Sequence, residues 1–315
     1  MRAVVHDRYG PPDVLRVEEV PEPSPGPNQV LVEVVAASVN RSDWEGLLGT
    51  PLYARIGGLR APARRTLGSD IAGRVAAVGS AVTRFRSGDE VYGESTMGGF
   101  AEYAVASESA LTYKPEALTF SEASTLPQAG TIAVQGTAGV GPGQRMLING
   151  AGGGSGSFAI QLAKRAGARV VAVDNAGKLE FMRSIGADEV IDYRRQDFTR
   201  LEPSDIVLDL VAYRSVFAYR RALARGGRYR CVGGSVRTLL RVVTVGAFLG
   251  WVTGRRLGLL VVRQGPTHFE PLAEQCVAGD VDIHIDRIFG LDEVPQALAH
   301  VGEGRALGKV VVAVV

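Results

Sequence analysis

Residues 146–174 read MLINGAGGGSGSFAIQLAKRAGARVVAVD, and this stretch decides the fold class of the second half of the chain. A short apolar run passes into glycines, then into a segment with helical spacing of apolar residues, and then into a second apolar run that ends at Asp174. A strand, a tight turn, a helix and a parallel strand in this order form the βαβ unit typical of dinucleotide binding.

The loop of this unit is rich in residues without bulky side chains. Side chains here would keep the backbone N–H groups and the helix N-terminus away from a pyrophosphate. The candidate phosphate-binding residues are Ala151, Gly152, Gly153, Gly154, Ser155 and Gly156. Asp174 follows Gly156 by 18 residues, about where an acidic residue accepts hydrogen bonds from the adenosine ribose. The pattern therefore predicts a nicotinamide dinucleotide site.

Composition and charge set the broad class of the protein. The chain has 315 residues, 46% of them hydrophobic and 22% charged, which is ordinary for a globular protein of two domains. The net charge of +2 argues against nucleic acid or an acidic membrane as a partner. Because the chain has only two cysteines and its N-terminus lacks a signal-peptide pattern, we expect a cytoplasmic protein.

One apolar segment, residues 242–254, needs separate consideration. Its apolar run covers only about a dozen residues before two arginines, fewer than the roughly 20 that span a bilayer. We expect either a buried helix or a partly exposed segment at an interface or substrate pocket.

The rest of the chain divides into two kinds of pattern. The first 115 residues contain alternating, glycine-bounded strands that indicate a partly open barrel. From about Ser121, which we expect to cap a helix, strands alternate with helices, as in a parallel sheet covered on both faces. The apolar strand at 309–315 is expected to rejoin the N-terminal domain. The fold class is therefore α/β, with a β-barrel domain and a doubly wound domain.

Several motifs together resemble one family. The matching segments run through nearly the whole chain: PGPNQVLVEV (25–34), SVNRSDW (38–44), LGSDIAGRVAAVGSAVTRFRSGDEVYG (67–93), GGFAEYAV (98–105), KPEALTFSEASTLPQAG (114–130), INGAGGGSGSFAIQLAK (148–164), IGADEVIDY (185–193) and GKVVVAV (308–314). The chain resembles the zinc-free, quinone-oxidoreductase-like branch of the medium-chain dehydrogenase/reductase superfamily.

This resemblance implies a fold with two domains. It implies a GroES-like catalytic domain over 1–117 and 266–315 and a Rossmann domain over 118–265, with the nicotinamide in the cleft between them. The AxGxxG fingerprint of this branch corresponds to Ala151, Gly153 and Gly156. Relatives are commonly dimers, so a homodimer acting on a small molecule is expected.

The sequence lacks the ligands that zinc would need. Where the metal-dependent branch carries a cysteine, this chain has Asn40, and its His-Glu pair reads Ser69-Asp70. An amide and a hydroxyl compete poorly with water for zinc. We therefore expect no metal and no zinc-assisted alcohol oxidation.

The expected chemistry is hydride transfer from NAD(P)H to an acceptor that delocalises charge, a quinone or an α,β-unsaturated carbonyl. Asn40 and Tyr53 are the candidate catalytic residues, as hydrogen-bond donors to the acceptor oxygen; a loop-ordering Asn and a packed Tyr are the alternatives. Asp209 and the turn at Val232 and Gly233 are expected at the ligand-binding edge of the sheet.

The choice of coenzyme is not settled by the sequence. The charge of Asp174 favours NAD, because a carboxylate repels a 2′-phosphate. The resemblance implies that Lys178 and Tyr193 stand where NADP-dependent relatives bind that phosphate, and Asn175 suits either coenzyme. Two other functions remain open: a zinc-independent alcohol or aldehyde dehydrogenase, and a non-catalytic nucleotide-binding protein.

Overall fold

The computed structural model describes residues 1–56, 58–96 and 98–314. It divides the chain into two compact units, Met1–Thr131 with Gln264–Val315, and Ile132–Arg263. The sequence-based domain boundaries at 117/118 and 265/266 lie 14 residues before and two residues after the corresponding boundaries of these units. The difference at the first boundary arises because the short helix Phe120–Ser124 packs against four strands of the first unit.

The strands are numbered in chain order: β1 (Arg2–Val5), β2 (Arg16–Glu19), β3 (Gln29–Val39), β4 (Asp70–Val78), β5 (Glu90–Glu94), β6 (Tyr103–Ser107), β7 (Leu111–Tyr113), β8 (Arg145–Asn149), β9 (Arg169–Asp174), β10 (Glu189–Asp192), β11 (Ser204–Asp209), β12 (Leu223–Cys231), β13 (Arg256–Leu259), β14 (Ile285–Gly290) and β15 (Lys309–Ala313).

The α-helices are α1 (Arg41–Leu48), α2 (Phe120–Ser124), α3 (Pro127–Thr137), α4 (Gly154–Arg165), α5 (Leu179–Ser184), α6 (Val216–Ala222), α7 (Val236–Arg241), α8 (Ala247–Thr253), α9 (Pro266–Val277) and α10 (Val294–Gly302). A π-helical turn, Val242–Gly246, joins α7 to α8.

The first unit is built on a seven-stranded sheet. Its order is β14-β15-β3-β4-β5-β7, with β6 also paired to β3. The C-terminal strand β15 pairs antiparallel with β3, which confirms that the end of the chain returns to the N-terminal domain. Alternate residues of β3 enter one apolar core together with β4, β15 and α10. The polar residues at the ends of β3 and β15 are thereby brought into the interior.

The second unit is a parallel sheet of six strands. The order β10-β9-β8-β11-β12-β13 is that of a doubly wound dinucleotide-binding fold, and each pair of neighbours is parallel. Helix α4 connects β8 to β9, as the opening stretch predicts. The α/β class with a GroES-like domain and a Rossmann domain is therefore confirmed.

Two local expectations are corrected by the structure. The cap of α2 is Thr119 rather than Ser121: the Thr119 side chain accepts a hydrogen bond from the Glu122 amide, and the Glu122 carboxylate accepts one from the Thr119 amide. A threonine followed three residues later by glutamate forms this reciprocal capping box, which satisfies two backbone donors at once.

The helix after β12 is longer than the apolar run at 242–254 that indicated it. Helix Val236–Thr253 runs unbroken through α7, the π-helical turn and α8 for 18 residues, and 17% of them are buried. Within the part of the chain that the structure describes, it is the one helix whose length and composition would allow it to cross a bilayer. A helix is present over the apolar run at 242–254, as one of the two expectations had it, but it begins earlier, after the Ser235 cap, and most of its residues are not buried.

Candidate functional site

The glycine loop lies between β8 and α4, with its backbone drawn close to the helix. An ideal Cβ on Gly156 would lie 2.4 Å from the Ala151 carbonyl oxygen, a distance that side chains do not adopt. At Gly153, in contrast, the nearest atom to an added Cβ is the Gly150 oxygen, at 3.7 Å. Gly156 is thus required by packing, whereas a Cβ on Gly153 would make only an ordinary van der Waals contact.

The N-terminus of α4 follows directly. Gly153 is its N-cap and supplies no side chain to cap it, and Gly154 and Ser155 form its first turn. The first N–H groups of a helix have no partner within the helix and attract anions. The space beside Gly153 and the uncapped turn together fit a pyrophosphate.

Asp174 ends β9 and organises the loop. One carboxylate oxygen accepts a hydrogen bond from the Gly152 amide at 3.0 Å and lies 3.6 Å from the Lys178 ammonium. The other accepts from the Asn175 amide at 2.8 Å. Both partners of the ion pair are largely buried, with side chains 7% and 11% exposed. The positive charge of Lys178 therefore offsets part of the negative charge of Asp174.

The remaining candidates for the adenosine end lie next to this pair. The Tyr193 amide donates to the Asp174 carbonyl oxygen at 3.1 Å, so β10 ends beside β9. The Arg194 guanidinium lies over the Tyr193 ring, 5.6 Å from its centroid. The structure thus brings Asp174, Asn175, Lys178 and Tyr193 together.

Asp209 lies at the end of β11, as expected, but its carboxylate is engaged within the protein. It is fully buried, and its carboxylate accepts hydrogen bonds from Asn149 Nδ2 at 2.8 Å and the Tyr229 hydroxyl at 2.9 Å. It also accepts from the amides of Val211 and Ala212. The carboxylate therefore joins the carboxyl ends of β8, β11 and β12 and is not presented to a ligand.

The turn at Val232 and Gly233 follows from this arrangement. The Val232 amide donates to the Asp209 carbonyl oxygen at 3.0 Å, and the Cys231 thiol donates to the Gly233 carbonyl oxygen at 3.2 Å. Both residues are half-buried at the carboxyl edge of the sheet. Their contact with a coenzyme stays a prediction.

Asn40 lies in the first unit as the N-cap of α1 and is only 6% exposed. Its amide N–H donates to the Asp43 carboxylate at 2.8 Å, and its side-chain oxygen accepts from the Lys309 ammonium at 2.7 Å. Lys309 is 2% exposed and comes from β15, at the other end of the chain. Asn40 is therefore fixed from two sides.

Two buried carboxylates accompany Lys309. Burial raises the pKa of Asp43 to about 7, with a further contribution from the nearby Asp70. Burial also raises the pKa of Asp70, while Lys309 and Asn40 oppose that rise. Burial lowers the pKa of Lys309, and the two carboxylates counteract it. We call Asn40, Asp43, Asp70 and Lys309 the buried polar cluster.

Glu94 adjoins the buried polar cluster and was not singled out from the sequence. It faces Asp70 in the register of β4 and β5, and burial followed by the charge of Asp70 raises its pKa to about 7. Lys309 was also missed as a functional residue, because a lysine that opens an apolar strand ordinarily extends into solvent. Its place at the start of an apolar run, in GKVVVAV, was the one available signal.

Tyr53 lies in a 3-10 turn, Leu52–Arg55, after α1. Its hydroxyl donates to the Glu45 carboxylate at 3.2 Å. Burial is the main cause that raises the pKa of Glu45. A phenol in contact with a carboxyl group of raised pKa is a pair that can move a proton.

The residues that stand in the metal-binding positions of the zinc-dependent branch, Asn40, Ser69 and Asp70, supply neither a thiolate nor an imidazole. Ser69 and Asp70 follow one another at the start of β4, and the Asp70 carboxylate accepts from the Gln128 amide at 3.1 Å. Over residues 1–56, 58–96 and 98–314, no group of three His, Cys, Asp or Glu side chains is arranged to hold a metal ion.

Comparison with known proteins identifies the family. The family described as "Alcohol dehydrogenase GroES-like domain" matches residues 26–116, and the one described as "Zinc-binding dehydrogenase" matches residues 185–312. The chain is 33% identical to the chloroplastic quinone-oxidoreductase QR1 of Triphysaria versicolor, over 99% of this chain and 98% of that protein. It is 34% identical to the 2-methylene-furan-3-one reductase of Solanum lycopersicum, over 99% of this chain and 79% of the relative.

A solved structure agrees over the full length. The quinone oxidoreductase from Coxiella burnetii superposes with a TM-score of 0.90 at 31% identity, covering 100% of this chain and 99% of that one. Fold, glycine loop and relatives lead to one conclusion: the chain belongs to the quinone-oxidoreductase-like branch of the medium-chain dehydrogenase/reductase superfamily.

Proposed function

We propose that the protein is a zinc-independent, NAD(P)H-dependent reductase of quinones or α,β-unsaturated carbonyls. The observation that carries the proposal is the glycine loop, in which a Cβ on Gly153 would clash with no atom at an uncapped helix N-terminus while Asp174 holds the neighbouring Gly152. The full-length relatives named as quinone and furanone reductases support the reaction class.

The residues present fit the coenzyme. The first turn of α4 would hold the pyrophosphate, and Asp174 would accept hydrogen bonds from the adenosine ribose. When bound, the reduced nicotinamide supplies the hydride and is itself oxidised. The protein then has to orient the acceptor and provide a proton for its oxygen.

We propose NADH as the preferred coenzyme, with limited discrimination. The Asp174 carboxylate would repel a 2′-phosphate, but Lys178, at 3.6 Å from it, carries the opposite charge. Asp174 would repel the 2′-phosphate and Lys178 would attract it, so the preference arises from the difference between the two electrostatic energies.

We propose that Tyr53 and Glu45 supply the proton. As hydride adds to one carbon of the acceptor, the electron pair moves onto oxygen, which takes the proton of the Tyr53 hydroxyl. The Glu45 carboxyl, whose pKa burial raises, then relays a proton from solvent to Tyr53. Activity should therefore decline as pH rises through the raised pKa of Glu45.

A substitution tests this proton path. Tyr53→Phe should lower kcat about 100-fold, the scale of a lost general acid, with a smaller change in KM, and should abolish the pH dependence. Tyr9→Phe is the matched control, because the Tyr9 hydroxyl donates to the Gly58 carbonyl oxygen in the same region. Equal kcat values for Tyr53→Phe and Tyr9→Phe would assign the proton to water.

For Asn40, the contacts of the side-chain oxygen and of the backbone amide support the ordering role. Its oxygen is engaged by Lys309 and its backbone amide by Asp43. We propose that Asn40 and Lys309 are positioning residues that hold the start of α1, the helix that leads to Tyr53 and carries Glu45.

The zinc-independent part of the proposal rests on donor chemistry. Asn40 and Ser69 replace the thiolate and imidazole that bind zinc in the metal-dependent branch, and neither is a strong zinc ligand. A net charge of +2 supports small molecules rather than nucleic acid as ligands. We further propose a cytoplasmic homodimer, the state expected from the family resemblance.

The decisive experiment measures oxidation of NADH and NADPH with benzoquinone, naphthoquinone and short-chain enones, before and after chelator treatment, alongside zinc analysis by mass spectrometry. We expect turnover that survives chelation and an NADH preference. Turnover confined to alcohols with oxidised coenzyme, zinc at unit stoichiometry, or tight coenzyme binding without any turnover would each refute the proposal.

A further inference from the structure

Helix Val236–Thr253 presents a broad apolar face to solvent. Its inner residues Val242, Gly246 and Gly250 are buried against the second unit. Its outer side carries exposed apolar side chains, which we call the outer face: Leu240 (61% exposed), Val243 (53%), Phe248 (62%), Trp251 (82%) and Val252 (60%). Leu240, Phe248 and Val252 are spaced by multiples of four residues, as the buried residues are, and Val243 and Trp251 each follow one of them by three, so the outer face lies on a different side of the helix from the buried residues. Contiguous exposed apolar surface of this kind marks an interaction site.

The inner side fixes how the helix can lie. An added Cβ on Gly250 would be 2.7 Å from the Arg255 carbonyl oxygen, and one on Gly246 would be 3.5 Å from the Leu257 side chain. The helix backbone is therefore packed tightly along β13. A helix held against a folded sheet along one side cannot be surrounded by lipid, so it can lie on a membrane but not cross it.

The charges around the outer face have one sign. Residues 210–269 contain eleven arginines and no aspartate or glutamate, which the net charge of +2 for the whole chain conceals. Arg237 and Arg241 are exposed on α7, and Arg256 is exposed directly after α8. Between Arg241 and Arg255 the helix carries no charged residue. Apolar surface between cationic ends is the pattern of an interfacial helix on anionic lipid.

The aromatic residues agree with this. Phe248 and Trp251 are ring neighbours, with centroids 6.4 Å apart, and both protrude from the outer face. Tryptophan is enriched where protein meets the headgroup region of a bilayer. A second copy of the chain fits less well, because a twofold contact would set the same arginine-rich surface against itself.

We propose that the outer face docks the protein onto an anionic phospholipid bilayer, with Phe248 and Trp251 in the headgroup region and the flanking arginines on lipid phosphates. The expectation of no membrane partner, which rested on net charge and on a short apolar segment, is thereby replaced. Docking does not depend on the proposed reductase activity. Its consequence, that the enzyme gains access to lipophilic quinones or enones in the bilayer, rests on that proposed activity.

Cosedimentation with extruded vesicles tests the docking. The full chain should bind vesicles of equimolar phosphatidylcholine and phosphatidylglycerol, with binding that weakens as salt rises, and bind pure phosphatidylcholine much less. The double variant Phe248→Ser/Trp251→Ser should lose about 10-fold or more of its partition coefficient. Arg237→Gln/Arg241→Gln should lose several-fold on the anionic vesicles alone. Ile288→Ser, at an apolar residue 57% exposed in the first unit, should bind like the unchanged protein.

The outcomes separate the proposals. All variants should oxidise NAD(P)H with a water-soluble quinone at the unchanged rate, so failure of the reaction and failure of docking are distinguished. No binding to anionic vesicles, or equal binding by Phe248→Ser/Trp251→Ser, overturns the docking. It is also overturned if sedimentation equilibrium shows a dimer that this double variant dissociates, since a second copy would then cover the outer face.

Discussion

Replacing Lys309 by methionine perturbs the buried polar cluster most directly. Lys309 is 2% exposed, Asp43 is 3% exposed and Asp70 is fully buried, so Lys309→Met leaves two carboxylates in the interior without their nearby cation. Removing one partner from a buried charge pair costs about 3–5 kcal/mol of folding free energy. We expect a loss of this size at pH 8.

The loss should depend on pH, with a sign that follows from proton binding. Asp43 has a pKa of about 7 when folded, against 3.8 in the ordinary case, so the folded state binds the proton more tightly. Its contribution to stability is fully present below the unfolded value and declines as pH rises from about 4 towards 7. Without Lys309 the pKa values of Asp43 and Asp70 rise further, and the decline extends to higher pH. The penalty of Lys309→Met should therefore be at least about 1 kcal/mol smaller at pH 5 than at pH 8.

Urea denaturation at pH 5 and pH 8, followed by tryptophan fluorescence, measures both effects. Trp44 packs against the core of the first unit, so a Trp251→Phe background leaves it as the single reporter. Lys164→Met is the matched control: the Lys164 ammonium lies 2.6 Å from Asp188, but the side chains are 34% and 35% exposed. Such a surface pair contributes about 0–1 kcal/mol. Equal costs for the two lysines, or a cost of Lys309→Met that does not change with pH, would refute the reasoning.

Three further predictions concern the coenzyme site and the cluster. Gly153→Ala should leave the melting temperature unchanged but weaken NADH binding about 10-fold by calorimetry, because its Cβ would make only an ordinary contact at 3.7 Å until a pyrophosphate binds. Gly156→Ala should also lower the melting temperature, since its Cβ would lie 2.4 Å from the Ala151 oxygen. Asp174→Ser should raise kcat/KM for NADPH relative to NADH by about 10-fold in steady-state assays, and an unchanged ratio would contradict the repulsion argument. Glu94→Gln should be more stable than the unchanged protein by about 1–3 kcal/mol at pH 8 and little different near pH 4.5. The reason is that the pKa of Glu94 is raised to about 7 in the folded state, so that its contribution to stability declines as pH rises. A difference in denaturation midpoint that stays constant with pH would contradict this prediction.

The glycine loop and the residues around it could be predicted because they lie close together in the sequence. A strand, glycine loop and helix carry their signals in local spacing, and Asp174 reaches Gly152 across only 22 positions. Asp209 was located at the correct strand end, but its burial among Asn149, Tyr229 and two backbone amides depends on which strands become neighbours. That order is a property of the assembled sheet.

The sequence by itself determined the alternating β and α pattern, the phosphate-binding turn, the return of the last strand and the absence of thiolate and imidazole at the expected metal positions. Tertiary structure alone decided the rest. Lys309 meets Asn40 across 269 residues, and only the pairing of β15 with β3 turns a lysine at a strand end into a buried cation. Likewise, the apolar run after β12 predicts a helix, but packing of its glycines along β13 determines that Phe248 and Trp251 point outward. Burial depends on contacts between distant segments, and spacing along the chain does not specify them.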